Sequence, residues 1–217
     1  MRQLERFGRG NRLSDKDRYW DWCSFIDREA SMAYFGNSPE INESELIRRM
    51  MRYTDSIGRS GDLNDVLFAD VNLVLPYDML TKVDLMSMAN ALEVRVPLLD
   101  HRIAEFAFSL PVQHKIDGKM KKKVLQDAFR HILPAELYNR PKRGFEVPLL
   151  QWFRKELKSL IMDDLLSDAF IAEQGIFNRE VISGLKKRLF SSNPGDVHAQ
   201  IWALIVFQSW YKNYHIR

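Results

Sequence analysis

The sequence predicts an all-α, mainly helical chain, and three observations carry that prediction. Apolar residues recur at three- and four-residue spacing in most segments, helix-capping side chains stand ahead of several of these runs, and no stretch alternates as a half-buried strand would. The 217 residues suffice for one domain of ordinary size or part of a larger one, and an apolar share of 46% is usual for a globular chain. Thirty-two basic against 29 acidic residues leave a formal charge of +3, too small to argue for nucleic acid. The single cysteine, Cys23, cannot form an internal disulfide, and no N-terminal apolar run resembles a signal peptide or membrane span. The expectation is a soluble, cytoplasmic protein.

Residues 1–16, opening MRQLERFGRGNR, are basic and rich in Gly and Arg, so they are expected to form a flexible arm ahead of a helical portion over 17–217. Ser14 or Asp15 caps a predicted helix through Tyr19, Trp22, Phe25 and Ile26, in which Cys23 is expected to pack among aromatic rings. The turn FGNSPEINES leads to a second helix from Ser44 or Glu45 through Met51, and Asp62–Leu75 forms a third.

Pro76 then opens the segment on which the chain is organised, PYDMLTKVDLMSMANALEVRVPLLDH. Pro76 suits a first helical turn and Asp78 complements its positive end, predicting a helix over Tyr77–Ala91. Its apolar residues go nearly all the way round, the pattern of a helix covered on most sides. Lys82 and Asp84 are costly in such company unless each finds a partner, a ligand or water. One reading pairs Lys82 with Asp78 one turn away and gives Asp84 a backbone donor; the other makes both functional. EVRVPLL is extended, with Glu93 and Arg95 expected to bridge helices, and Asp100 caps HRIAEFAFSL. After Gly118, Val124, Leu125, Ala128, Phe129 and Ile132 form the predicted buried stripe of a helix ended by Pro134. Lys119, Lys121, Lys122 and Lys123 crowd its start, either as a solvated run or facing an anion. The irregular AELYNRPKRGFEVP carries Arg140, Lys142 and Arg143, and Pro148 starts a helix through Leu149, Trp152, Phe153 and on to Ile161. Asn178 and Asp196 cap the last two predicted helices.

These parts include no Gly-rich phosphate loop, no His or Cys pair at metal-ligand spacing and no evident nucleophile. The chemical candidates are Lys82, Asp84, Glu93, Arg95 and the Arg140–Arg143 loop.

Two strings, KVDLMSMANALEVRVPLLDH and RPKRGFEVPLLQWFRKEL, resemble segments of the glutamine-hydrolysing asparagine synthetases, in which a basic residue and Asp precede SMA and LEVRVP(F/L)LDH, and RxKxGFxxPxxxWFRxEL follows. The resemblance runs from about Asp17 to the end and is strongest from Pro76 to Leu157. It implies the C-terminal helical half of an α/β adenine-nucleotide-hydrolase-like synthetase domain. The intact enzyme uses ATP and magnesium to adenylate aspartate, which ammonia released from glutamine then attacks. By the same resemblance Lys142 is the catalytic cation, Lys82 and Asp84 are substrate-binding, and Arg140 and Arg143 are candidate phosphate contacts. The family's N-terminal cysteine nucleophile, SGGxDS loop and GxGxDE segment do not occur here. The chain is therefore expected to need a nucleotide-binding and glutaminase half, to hold no cofactor or metal and be inactive alone, and to dimerise or aggregate through apolar surface. A sibling amidotransferase or cyclase acting on another carboxylate is the nearest alternative. A basic helical nucleic-acid-binding module, marked by steep salt dependence, is the alternative from another class.

Overall fold

The computed structural model describes residues 7–26, 28–35, 42–118, 120–138, 144 and 147–215. Outside them lie the first six residues of the expected arm, most of the FGNSPEINES turn, Lys119, and the basic loop with Arg140, Lys142 and Arg143. The chain divides into two compact units, Met1–Arg49 with Phe145–Arg217, and Met50–Gly144.

The first unit begins inside the range expected to be an arm. Phe7 to Gly10 turn as helix, and the Arg9 guanidinium forks onto the buried carboxylate of Asp21 at 2.7 and 2.9 Å. Helix α1, Asp15–Cys23, is capped by Ser14, whose hydroxyl accepts from the Asp17 amide. It stops short of Phe25 and Ile26, because the Ser24 hydroxyl bonds back to the Trp20 carbonyl and its backbone turns extended. Cys23 is exposed, against the expectation that it packs among aromatic rings. A short α2, Arg28–Met32, has no counterpart in the sequence reading. Helix α3, Glu43–Thr54, starts earlier and ends later than predicted, since the Asn42 side chain accepts from the Ser44 amide.

In the second unit, α4 spans Leu63–Asn72 with the Asp62 carboxylate on the Asn64 amide at 2.7 Å. The predicted central helix follows in two parts, a wide π-helical turn over Leu75–Leu80 and α5, Thr81–Ala89. Proline explains the widening: Pro76 offers no N–H and its ring crowds the carbonyl four residues back, so the ladder reopens with i→i+5 bonds. The C-terminus of α5 closes with Leu92 N–H on the Ser87 carbonyl and Ala91 N–H on Met88, at 2.9 and 3.0 Å. This is a Schellman closure, built on Ala91 at φ 54° where glycine is usual.

Residues 92–96 belong to neither helix nor strand, and Asp100 caps α6, His101–Ser109, by accepting from the Arg102 amide. The helix expected to begin among the lysines is displaced by a hairpin. β1, Ile116–Asp117, pairs antiparallel with β2, Met120–Lys121, in the register Ile116 with Lys121 and Asp117 with Met120. Gly118 at φ 54° makes the turn, Lys122 is left-handed, and α7 covers only Lys123–Phe129. The predicted buried stripe is open, with Val124, Leu125, Phe129 and Ile132 all exposed.

Back in the first unit, Pro148 precedes α8, Leu149–Arg154, which breaks at Lys155 instead of running to Ile161; a second wide turn, Leu160–Leu165, follows. Ser167 caps α9, Asp168–Gln174, and Asn178 caps α10, Arg179–Leu189, through the amides of Glu180 and Val181. Asp196 stands at the N-cap position of α11, Val197–Tyr214, without a side-chain cap bond. These four helices share one core of Phe153, Ile161, Leu166, Ile182, Leu189 and Ile201, each at most 1% exposed. Arg154 ties α8 to the C-terminal end of α10 by bonding the Leu189 and Ser191 carbonyls, both at 2.6 Å, where a cation also meets the negative end of the helix dipole.

Candidate functional site

The sequence places its candidates on α5 and the segments flanking it, so the site is built from there. Among the described residues of the second unit, only Met50, Ile57 and Ala69 are buried hydrophobic side chains. None of α5 is buried: Leu85, Met86 and Met88 are 57%, 59% and 62% exposed. The all-round apolar helix, read as a covered one, is bare in this chain. Its pattern reports what the helix would bury, not whether this chain supplies the cover.

Lys82 and Asp84 are both exposed. The expected pairing of Lys82 with Asp78 is not made; the ammonium lies 3.8 Å from the Met79 sulfur. The wide turn accounts for this, because it removes Asp78 from the i, i+4 register in which the two charges would meet. Nor does the Asp84 carboxylate take a backbone donor; only the carbonyl of this residue is engaged, by the Ser87 hydroxyl. Along a regular α-helix two residues turn through about 200°, so Lys82 and Asp84 project from opposite sides of α5.

Beyond the helix, Glu93 and Arg95 do not bridge helices. They form an ion pair with each other, and both side chains are exposed. Asp100 is more tightly built: its carboxylate takes the Arg102 amide, Nε and a terminal nitrogen at 2.9, 2.9 and 2.8 Å. The Arg102 side chain, then its amide, hold the Asp100 carboxyl below its usual range, and the same pairing raises Arg102.

The second unit also holds a cavity of about 390 Å³, whose walls include Leu67, Val71, Leu75, Met79 and Phe108, with Asp70 and Lys115 as its charged members. The Lys115 ammonium contacts the Asn64 side-chain oxygen and stands 5.2 Å above the Phe108 ring. Burial lowers its pKa, partly offset by Asp62. Of the lysine run, Lys123 is taken by Asp127 at 2.6 Å, and Lys121 and Lys122 are exposed. Among the described residues no group of three or more His, Cys, Asp or Glu stands placed to hold a metal ion, and no helix is long and apolar enough to cross a membrane.

The structure thus brings the helix-borne candidates together on one element while separating them by half a turn. Arg140, Lys142 and Arg143 lie outside the described residues. Sequence reasoning missed Thr81, whose hydroxyl donates to the Pro76 carbonyl at 2.7 Å inside the wide turn. A hydroxyl five residues after a proline within a helical run was the available signal.

No solved structure matches the chain. It is similar to asparagine synthetase 1 (glutamine-hydrolyzing) of Bacillus subtilis, 30% identical over 162 residues that cover 73% of this chain and 24% of that protein. A putative asparagine synthetase (glutamine-hydrolyzing) of Mycobacterium bovis is 32% identical over 138 residues, 62% of this chain and 20% of that one. The rat asparagine synthetase (glutamine-hydrolyzing) is 34% identical over 105 residues, 45% of this chain and 18% of its own length. The chain therefore spans a quarter or less of these relatives. The asparagine synthase family matches residues 4–212, both long motifs included, and to that family the chain belongs.

Proposed function

We propose that the chain provides the C-terminal helical part of an ATP-dependent synthetase that converts aspartate to asparagine through aspartyl-AMP, with ammonia drawn from glutamine. The observation that carries this reading is the family match over residues 4–212, which takes in the α5 segment and the basic loop after it. The bare apolar surface of residues 76–99 supports a complementary half bearing the nucleotide-binding and glutaminase parts, in the same or another polypeptide, with a homodimer as the state this surface favours when that half is absent. The reading places the enzyme in the cytoplasm.

In this reading Lys142, flanked by Arg140 and Arg143, meets the phosphates as negative charge develops on them. A preorganised cation contributes most there once water has been excluded. Lys82 faces the aspartate carboxylate, and Asp84, on the opposite side of α5, serves the partner surface or a second substrate group. ATP and magnesium belong to the assembled enzyme. Magnesium is commonly held by one or two carboxylates together with the substrate phosphates, so its site belongs with the bound nucleotide.

The test is aspartate-dependent ATP–pyrophosphate exchange by the assembled enzyme, with glutaminase turnover as control. Lys142→Ala is expected to lower exchange by about a hundredfold to a thousandfold, the usual loss for one preorganised electrostatic contact, and to spare glutaminase turnover. Exchange that survives within a few-fold of the parent removes Lys142 from the chemistry.

A further inference from the structure

α4 ends at Asn72, turns at Leu73, and leads through the wide turn over Leu75–Leu80 into α5. An i→i+5 turn holds one residue more than an α-turn, so everything beyond it is offset by about one residue, or about 100° of azimuth. The turn therefore decides which side of α5 presents Lys82 and which presents Asp84. Proline opens it, but opening alone does not choose between a wide turn and a frayed one. The Pro76 carbonyl accepts twice from one residue, from the Thr81 amide, which it shares with the Asp78 carbonyl, and from the Thr81 hydroxyl at 2.7 Å. That second bond requires a hydroxyl five residues on, at the first position of α5. Because Lys82 is the next residue, any change in the turn reaches it without passing through packing.

We propose that Thr81 is a positioning residue: its hydroxyl, on the Pro76 carbonyl, locks the wide turn and so sets the direction in which Lys82 meets the substrate. The proposal rests on the reading that Lys82 contacts aspartate. Thr81→Val keeps the β-branch and removes the hydroxyl, whereas Thr81→Ser keeps the hydroxyl.

Two measurements test it. In the full chain with Cys23→Ser, spin labels at Val71→Cys and Met86→Cys bracket the turn. Thr81→Val is expected to shift or broaden their distance distribution by several ångströms, and Thr81→Ser to leave it as in the parent. An unchanged distribution in Thr81→Val overturns the lock. In the assembled enzyme, Thr81→Val is expected to raise the KM for aspartate about tenfold with less effect on kcat, and Thr81→Ser to restore it. Lys82→Ala separates the two possible failures. If Lys82→Ala raises the KM and Thr81→Val does not, the positioning role is wrong; if neither raises it, the Lys82 reading on which the proposal rests is wrong.

Discussion

Ala91 holds a left-handed conformation at φ 54°, at the position of the Schellman closure where the chain leaves α5. An L-residue there costs about 1–2 kcal/mol, and glycine removes that cost while adding somewhat less in unfolded-state entropy. Ala91→Gly is therefore expected to stabilise the chain by about 0.5 kcal/mol in urea denaturation. Ala89→Gly, two residues earlier within the helix, is expected to destabilise it by about 1 kcal/mol. The reverse order would show that Ala91 is not left-handed in solution. Asp100 supplies a second residue-scale test. Its folded pKa is lowered chiefly by the Arg102 side chain, so its stabilising contribution is complete above the ordinary carboxylate range and disappears as pH falls through the lowered value. The NMR titration midpoint of its carboxyl is expected below the ordinary aspartate range and to rise towards it in Arg102→Ala.

Individual elements divide into those that are finished within this chain and those that are not. α8, α10 and α11 meet around Phe153, Ile182 and Ile201, and the Lys186 ammonium enters the same layer to bond the Leu166 carbonyl at 2.8 Å and Asp168 at 2.6 Å. Phe153→Ala is expected to cost about 3–5 kcal/mol, the usual loss for a buried Phe. Met86→Ala on α5 is expected to change stability by less than about 0.5 kcal/mol, because the side chain is 59% exposed. Denaturant titration of both variants gives the contrast directly. Comparable losses would mean that α5 is covered in solution, as in a homodimer, which light scattering would then reveal.

For the whole molecule, the accessible surface is 16301 Å². Two separate compact units of these sizes would expose roughly 12,500 Å² together, so the excess does not depend on how the units are arranged. Exposed hydrophobics of the second unit run through α5, α6 and α7. Amide hydrogen exchange is expected to be slow in α8, α10 and α11 and fast in α5 and α6, since local opening is easiest where few apolar contacts must break. Addition of the complementary half would slow exchange in α5 first.

Much of this was legible in the sequence because caps and period are local. Ser14, Asp100 and Asn178 cap helices as read, the helix after Pro76 forms, and the two long motifs identify the family. The hairpin at Ile116–Lys121 was hidden because its strands are two residues long, too short for alternation to register. α2 was hidden because five residues carry no period. The break at Lys155 and the wide turn before α5 changed which side chains share a face, so the Asp78–Lys82 pair inferred from spacing did not form. By itself the sequence determined the helical class, most helix starts and the family, since each rests on neighbours along the chain or on an uncommon string. Only the tertiary structure decided that a wide turn precedes α5 and takes Asp78 out of reach of Lys82, and that α5 is bare. The first depends on a hydrogen bond five residues long, and the second on whether other surface reaches that helix, which a residue's own neighbours in sequence do not encode.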